Sequence, residues 1–172
     1  MHAEEIPLSV VEECTTNERI YSPTQIRTNS NFTKEQKSTA ILKALGVSTS
    51  EPNYATQQFK GQWYYEHESE DAIFAGYQIR SHYLNVAVTF SDKGLITIIC
   101  NSNNLKQKKN SIHRKAPLWK NTLDSRIRAE LSNSQKASNS TKSSLKSLSY
   151  LYKNGFVTKD EYETIKQRVP TE

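Results

Sequence analysis

Between Trp63 and Cys100 the apolar residues recur at every second position. "AIFAGYQIR" places Ile73, Ala75, Tyr77 and Ile79 on one face, and "YLNVAVTF" does the same with Leu84, Val86, Val88 and Phe90. "SDKG" reads as a turn in which Gly94 is free to take a positive φ, and "LITIIC" as the strand that returns antiparallel. With "WYYEH" as a further strand, the series predicts a meander of three to four strands whose apolar face needs a cover. Outside this stretch the period is helical. Thr33 and Gln36 frame a capping box ahead of Ile41, Leu42 and Leu45, and Gly46 suits the left-handed position after the helix. Pro117 suits the first turn of a second helix, which carries Leu118, Trp119, Leu123, Ile127 and Leu131 at spacings mostly of four. Two helices on an antiparallel sheet give an α+β fold. Residues 6–14 read as a short strand centred on Val10 and Val11, and residues 15–32 and 47–60 as polar, irregular chain.

The pattern breaks again after Leu131. "LSNSQKASNSTKSS" is Ser, Asn and Lys with little apolar content, the composition of a linker. The expected organisation is a body over residues 1–131, a linker over 132–144 and a helical hairpin over 145–169. In the hairpin Leu145, Leu148 and Leu151 line a helix that stops at Asn154-Gly155. Thr158 and Glu161 then form a second capping box, Val157 can meet Tyr162 as a hydrophobic staple, and Pro170 ends the pattern. So short a unit cannot bury a core of its own. Leu145, Leu148, Leu151, Phe156, Tyr162 and Ile165 are therefore the expected partner-binding residues.

The hairpin residues resemble a known pattern. "LKSLSYLYKNGFVTKDEYETIKQRV" is similar to the SHOCT family (short C-terminal domain), through Leu145, Leu148, Leu151, Gly155, Val157, Thr158, Glu161, Tyr162 and Lys166. The resemblance covers residues 142–169 and implies an accessory module for oligomerisation or docking, with no catalytic residue. Residues 40–131 resemble small bacterial envelope proteins and lipoproteins of unknown function. That similarity rests on Ala40, Ile41, Ala44, Leu45, Arg80, His82, Asn101, Ser102, Asn104, Leu105, Ile112, His113 and Trp119. Asn101 stands where that group has Asp, Ala116-Pro117 replaces Tyr-Asn, and residues 47–60 look like an insertion.

Charge and composition narrow the function. Apolar residues make up 35% of the 172, and no run approaches the length of a membrane span. The net charge of +5 is uneven: acids collect near the N-terminus and bases over 106–128. Lys106, Lys108, Lys109, Arg114 and Lys115 are the anion-binding candidates, set against the plainer reading of a solvated basic face. Met1 precedes "HAEE", which looks like the tail of a signal-peptide cleavage site, so the expected location is periplasmic and the cytoplasm the lesser alternative. Cys14 and Cys100 can then pair as one disulfide, or stay two buried thiols.

No cofactor or metal is implied, since the glycines are scattered and no Cys/His cluster is present. Ser102, His113 and Asp124 can be written as a triad, but no nucleophile elbow accompanies them and Asp124 is expected on the polar side of its helix. His113 and Trp119 read as structural, fixing how the second helix packs. His67 and His82 sit in strand-edge segments, and Tyr64, Tyr65, Tyr77 and Tyr83 are ordinary sheet residues or a stacking surface for bases or sugars. The sequence thus points to a non-enzymatic bacterial cell-envelope protein that acts by protein–protein contact or self-association through its C-terminal hairpin. The alternative is a binder of nucleic acid or another anionic polymer through residues 106–128, with nucleic acid the less favoured partner.

Overall fold

The computed structural model describes residues 6–14, 21–29, 32–47, 63–79, 82–100 and 115–169. In chain order these form α1 (Leu8–Cys14), β1 (Tyr21–Arg27), α2 (Lys34–Ala44), β2 (Trp63–Glu68), β3 (Ala72–Ile79), β4 (His82–Ser91), β5 (Gly94–Cys100), α3 (Ala116–Lys153) and α4 (Lys159–Arg168). The strands make one antiparallel sheet of five in the order β1-β5-β4-β3-β2, and the fold is α+β. The chain divides into two compact units, Met1–Leu131 and Ser132–Glu172, with the boundary inside α3.

The period-two reading of the strands holds in the register. Ile73 faces Val88, Ala75 faces Val86 and Tyr77 faces Leu84, while Val86 and Phe90 face Ile99 and Leu95 on the next strand. These side chains form one face of the sheet. It is covered by Ala40, Ile41, Leu42, Ala44 and Leu45 of α2 and by Ala116, Leu123, Ile127 and Leu131 of α3. Full burial of the leucine, isoleucine and valine side chains in this layer stabilises by about 1.5–3 kcal/mol each. Both helix starts and stops follow their signals. Thr33 and Gln36 form a reciprocal capping box, and α2 closes with Val47 N–H donating to Leu42 O at 3.0 Å and Gly46 N–H to Lys43 O at 3.0 Å.

The sheet has a second apolar face, which the sequence reading did not anticipate. Ala72, Phe74, Ala87, Ile96, Ile98 and Cys100 project there and are covered by Val10 and Cys14 of α1, with Ile6 beside them. Residues 6–14, expected to be strand, are instead helical. Ile6, Val10 and Cys14 recur every four residues, which presents one face of a helix to the sheet, and Pro7 O accepts from Val10 N–H at 3.0 Å and Val11 N–H at 3.1 Å to close the first turn. Cys14 is bonded to Cys100, a link 86 residues long in sequence that ties α1 to β5.

Residues 21–27 form a strand where loop was expected. Among the described side chains of β1 only Ile26 is buried and apolar, so its alternation is too sparse to read. Its register with β5 shifts between Tyr21 and Thr24, the segment that holds Pro23. Proline lacks an N–H for the ladder, and an edge strand with a bulge accommodates it. Gly94 opens β5 with φ 142°, and a Cβ there would lie 2.0 Å from Ile26 O. The β4–β5 turn therefore requires glycine both for its backbone angle and for the approach of β1.

Residues 132–144 are also corrected, because they are helix within α3 rather than irregular linker. Their composition is polar, but no glycine or proline occurs between Pro117 and Gly155, and Lys, Gln and Ala sustain a helix even where nothing packs on it.

A charged pair lies inside the main core. Lys120 and Asp124, each 1% exposed, form an ion pair at 2.8 Å one helical turn apart on α3. Lys120 also donates to Thr97 Oγ1 at 3.1 Å and Thr24 Oγ1 at 2.5 Å, while Thr97 Oγ1 donates to Asp124 Oδ1 at 2.6 Å. Asp124 was expected on the solvent side of its helix, and Lys120 among the exposed bases. The sheet overrides both expectations, because Thr97 and Thr24 are register partners that put two hydroxyls beneath that turn of α3.

Asp124→Ala leaves a buried ammonium without its counter-charge and should cost about 3–5 kcal/mol in urea unfolding. Joint replacement, Lys120→Met with Asp124→Leu, should recover most of that loss. Cys14→Ser with Cys100→Ser should lower the same unfolding free energy by about 2–5 kcal/mol, with the far-ultraviolet spectrum of the sheet retained.

Candidate functional site

Local signals alone specify the hairpin of Ser132–Glu172. At the end of α3, Gly155 (φ 75°) donates to Tyr152 O at 3.1 Å and Phe156 donates to Leu151 O at 3.0 Å, the paired bonds of a Schellman stop. Asn154 Nδ2 adds a bond to Tyr150 O at 2.8 Å. Thr158 then caps α4: its hydroxyl oxygen accepts from Glu161 N–H at 3.3 Å, and Glu161 Oε2 accepts from Thr158 N–H at 2.9 Å. The bonds from the Thr158 backbone and hydroxyl hold the Glu161 carboxyl below its ordinary range, because they favour the charged form. Between the helices Tyr152 stacks on Tyr162 with centroids 4.7 Å apart, and Lys166 Nζ lies 5.7 Å from the Tyr162 ring centre.

This shape leaves apolar surface in water. No residue of α4 is buried. Of the six expected partner-binding residues, Leu148 is buried and Leu145 and Tyr162 are half-buried, while Phe156 is 73%, Ile165 42% and Leu151 40% exposed. Tyr150 and Tyr152 are exposed as well. The six therefore fall into two sets, and only Leu151, Phe156 and Ile165 are free for an outside contact.

The expected anion-binding residues are not brought together by anything described. Lys106, Lys108, Lys109 and Arg114 lie outside the described residues, and Lys115 is exposed at the start of α3. Ser102 and His113 of the nominal triad are outside them too, as are Arg80, Asn101, Asn104, Leu105 and Ile112. Asp124, its third member, is held by Lys120 and Thr97. Trp119 is half-buried beside Tyr77 (centroids 5.6 Å) and His82 (6.2 Å). Among the described residues no three His, Cys, Asp or Glu side chains converge as a metal site.

A polar cluster that the sequence reading missed lies on the α1 face of the sheet. A bulge between Tyr65 and His67 interrupts the pairing of β2 with β3. The Glu66 carboxylate accepts hydrogen bonds from the Tyr83 hydroxyl and the Asn85 amide. Gly76 makes room for it: a Cβ there would meet the Tyr64 ring at 2.4 Å and Glu66 Oε1 at 2.5 Å. Burial raises the Glu66 carboxyl above its ordinary range, and burial together with the Glu66 charge pushes the Tyr64 phenol up to about 12. His67 stacks on Phe74 with centroids 4.4 Å apart and pairs through Nε2 with the Glu13 carboxylate of α1. The available signal was Gly76 itself, since a glycine inside a strand marks a close approach.

The raised Glu66 sets the sign of a pH effect. Its folded form holds the proton above pH 4.5, where the unfolded carboxyl releases it, so its contribution to stability falls as pH rises through that range. Glu66→Gln should unfold with a flatter dependence on pH from 4.5 upward than the parent chain, in parallel urea titrations. A parent and variant of equal slope would show that Glu66 does not titrate differently on folding.

No protein-family model matches the chain, and no curated protein or solved structure shows significant similarity to it.

Proposed function

We propose that this is a non-enzymatic protein of the bacterial cell envelope that works by protein–protein contact, its C-terminal hairpin pairing with the hairpin of a second copy. The observation that carries this reading is the exposed trio Leu151, Phe156 and Ile165 on a unit whose second helix buries nothing. Unpartnered apolar side chains on so firmly capped a hairpin are what a docking surface needs: area to bury and a shape fixed in advance. The charges of α4 favour a second copy as the occupant. Asp160, Glu161 and Glu163 occupy its N-terminal half, and Lys166 and Arg168 its last turn. An antiparallel, two-fold pairing sets each acidic half against the partner's basic end, and one patch then serves both copies. The resemblance of residues 142–169 to SHOCT modules supports the same role.

The bond between Cys14 and Cys100 supports a periplasmic location, since such links persist in oxidising compartments. Among the described residues no helix is long and apolar enough to cross a membrane.

Sedimentation equilibrium on the full chain tests the pairing. The parent should self-associate in the micromolar range, and Leu151→Asp with Ile165→Asp should be monomeric with an unchanged far-ultraviolet spectrum, because both side chains are exposed. A parent that stays monomeric at high micromolar concentration sinks the reading.

A further inference from the structure

The hairpin unit carries a second surface, on a different side of α3 from Leu151. No acidic residue occurs between Glu130 and Asp160, while Lys136, Lys142, Lys146, Lys153 and Lys159 do. At 3.6 residues per turn, Lys142, Lys146 and Lys153 fall within about 40° of one another around α3, and Leu151 lies about 160° away from them. All three lysines are exposed, and with Tyr150 they line one open groove along the helix. Tyr150 is 64% exposed.

We propose that this stripe is a docking surface for an anionic phospholipid membrane, independent of the hairpin pairing. Three lysines in line, in a stretch with no carboxylate between Glu130 and Asp160, give a positive field directed outward. Lysine is a hydrated point charge that suits the diffuse potential of a lipid surface. The forked donors that read phosphate or bases one by one are absent, since no arginine occurs between Arg128 and Arg168. Tyr150, amphipathic and exposed beside the stripe, is the kind of side chain that settles at the headgroup level of a bilayer. This rests on the envelope location proposed above, which the disulfide of the body supports and where membranes and not nucleic acids are the abundant polyanions. The helix lies on the surface and does not insert, as its lysines stay in water while Tyr150 enters the interface.

Co-sedimentation of the full chain with vesicles decides the matter. The protein should bind vesicles of phosphatidylcholine mixed with phosphatidylglycerol, ignore phosphatidylcholine alone, and be released by salt. Each lysine near such a surface contributes about fivefold, so Lys142→Gln, Lys146→Gln and Lys153→Gln together should weaken binding by about 100-fold. Glutamine keeps the helix, which circular dichroism checks. Leu151→Asp should leave vesicle binding intact, which separates this surface from the pairing one. Equal binding to both vesicle types overturns the proposal, as does unchanged binding by the triple variant. Capture of soluble polyphosphate or duplex DNA with no vesicle binding overturns it too, and would reassign the stripe to a polymer.

Discussion

All seven residues of β5 are buried, and the rest of the body follows from that constraint. A strand hidden on both faces needs hydrogen-bonding neighbours on both edges and apolar cover above and below. β4 supplies one edge and β1 the other. On one face Leu95 and Ile99 meet α2 and α3, and on the other Ile96, Ile98 and Cys100 meet α1. β1 and α1 are the elements with the weakest signals of their own. Both are explained by what β5 demands of its surroundings.

The two units are stabilised in different ways. The body relies on burial and places a fully buried ion pair, Lys120–Asp124, where two threonine hydroxyls complete the hydrogen bonding. Such a pair adds little net stability beside a hydrophobic alternative, but it allows only one register between α3 and the threonines of β1 and β5. The hairpin unit relies on its ends. The Schellman stop, the capping box and the Tyr152–Tyr162 stack fix its form without a core, and that is why its apolar residues remain available.

What could be read from the sequence tracks how local each determinant is. The capping boxes at Thr33 and Thr158, the stops at Gly46 and Gly155, and the alternation through Ile73–Ile79 and Leu84–Phe90 all lie within a few residues of the structure they specify. The α+β class follows from them. Val10 and Val11 suggested strand because β-branched residues favour it, but the spacing of Ile6, Val10 and Cys14 and the sheet beneath them prevailed. β1 was unreadable because its pairing comes from β5, far along the chain, while the polar composition of residues 15–32 suggested loop. The helical run through 132–144 was hidden by composition, since Ser and Asn suggest loop even where nothing breaks a helix. At the hairpin the apolar set was legible, but its division into buried Leu148 and exposed Leu151, Phe156 and Ile165 was not. That division depends on packing as well as periodicity.

The bond between Cys14 and Cys100 also bears on the order in which the molecule is made. Synthesis runs from the N-terminus, so both cysteines and every strand between them are available before the first residue of α3. The cross-link can therefore close around the sheet while one of its faces still lacks the helix that fills it. Early oxidation would hold α1 and β5 together as a template, and α3 would complete the body last. The covalent tie then shapes the route to the native state as well as its depth, by sparing the nascent sheet a search for its most distant contact.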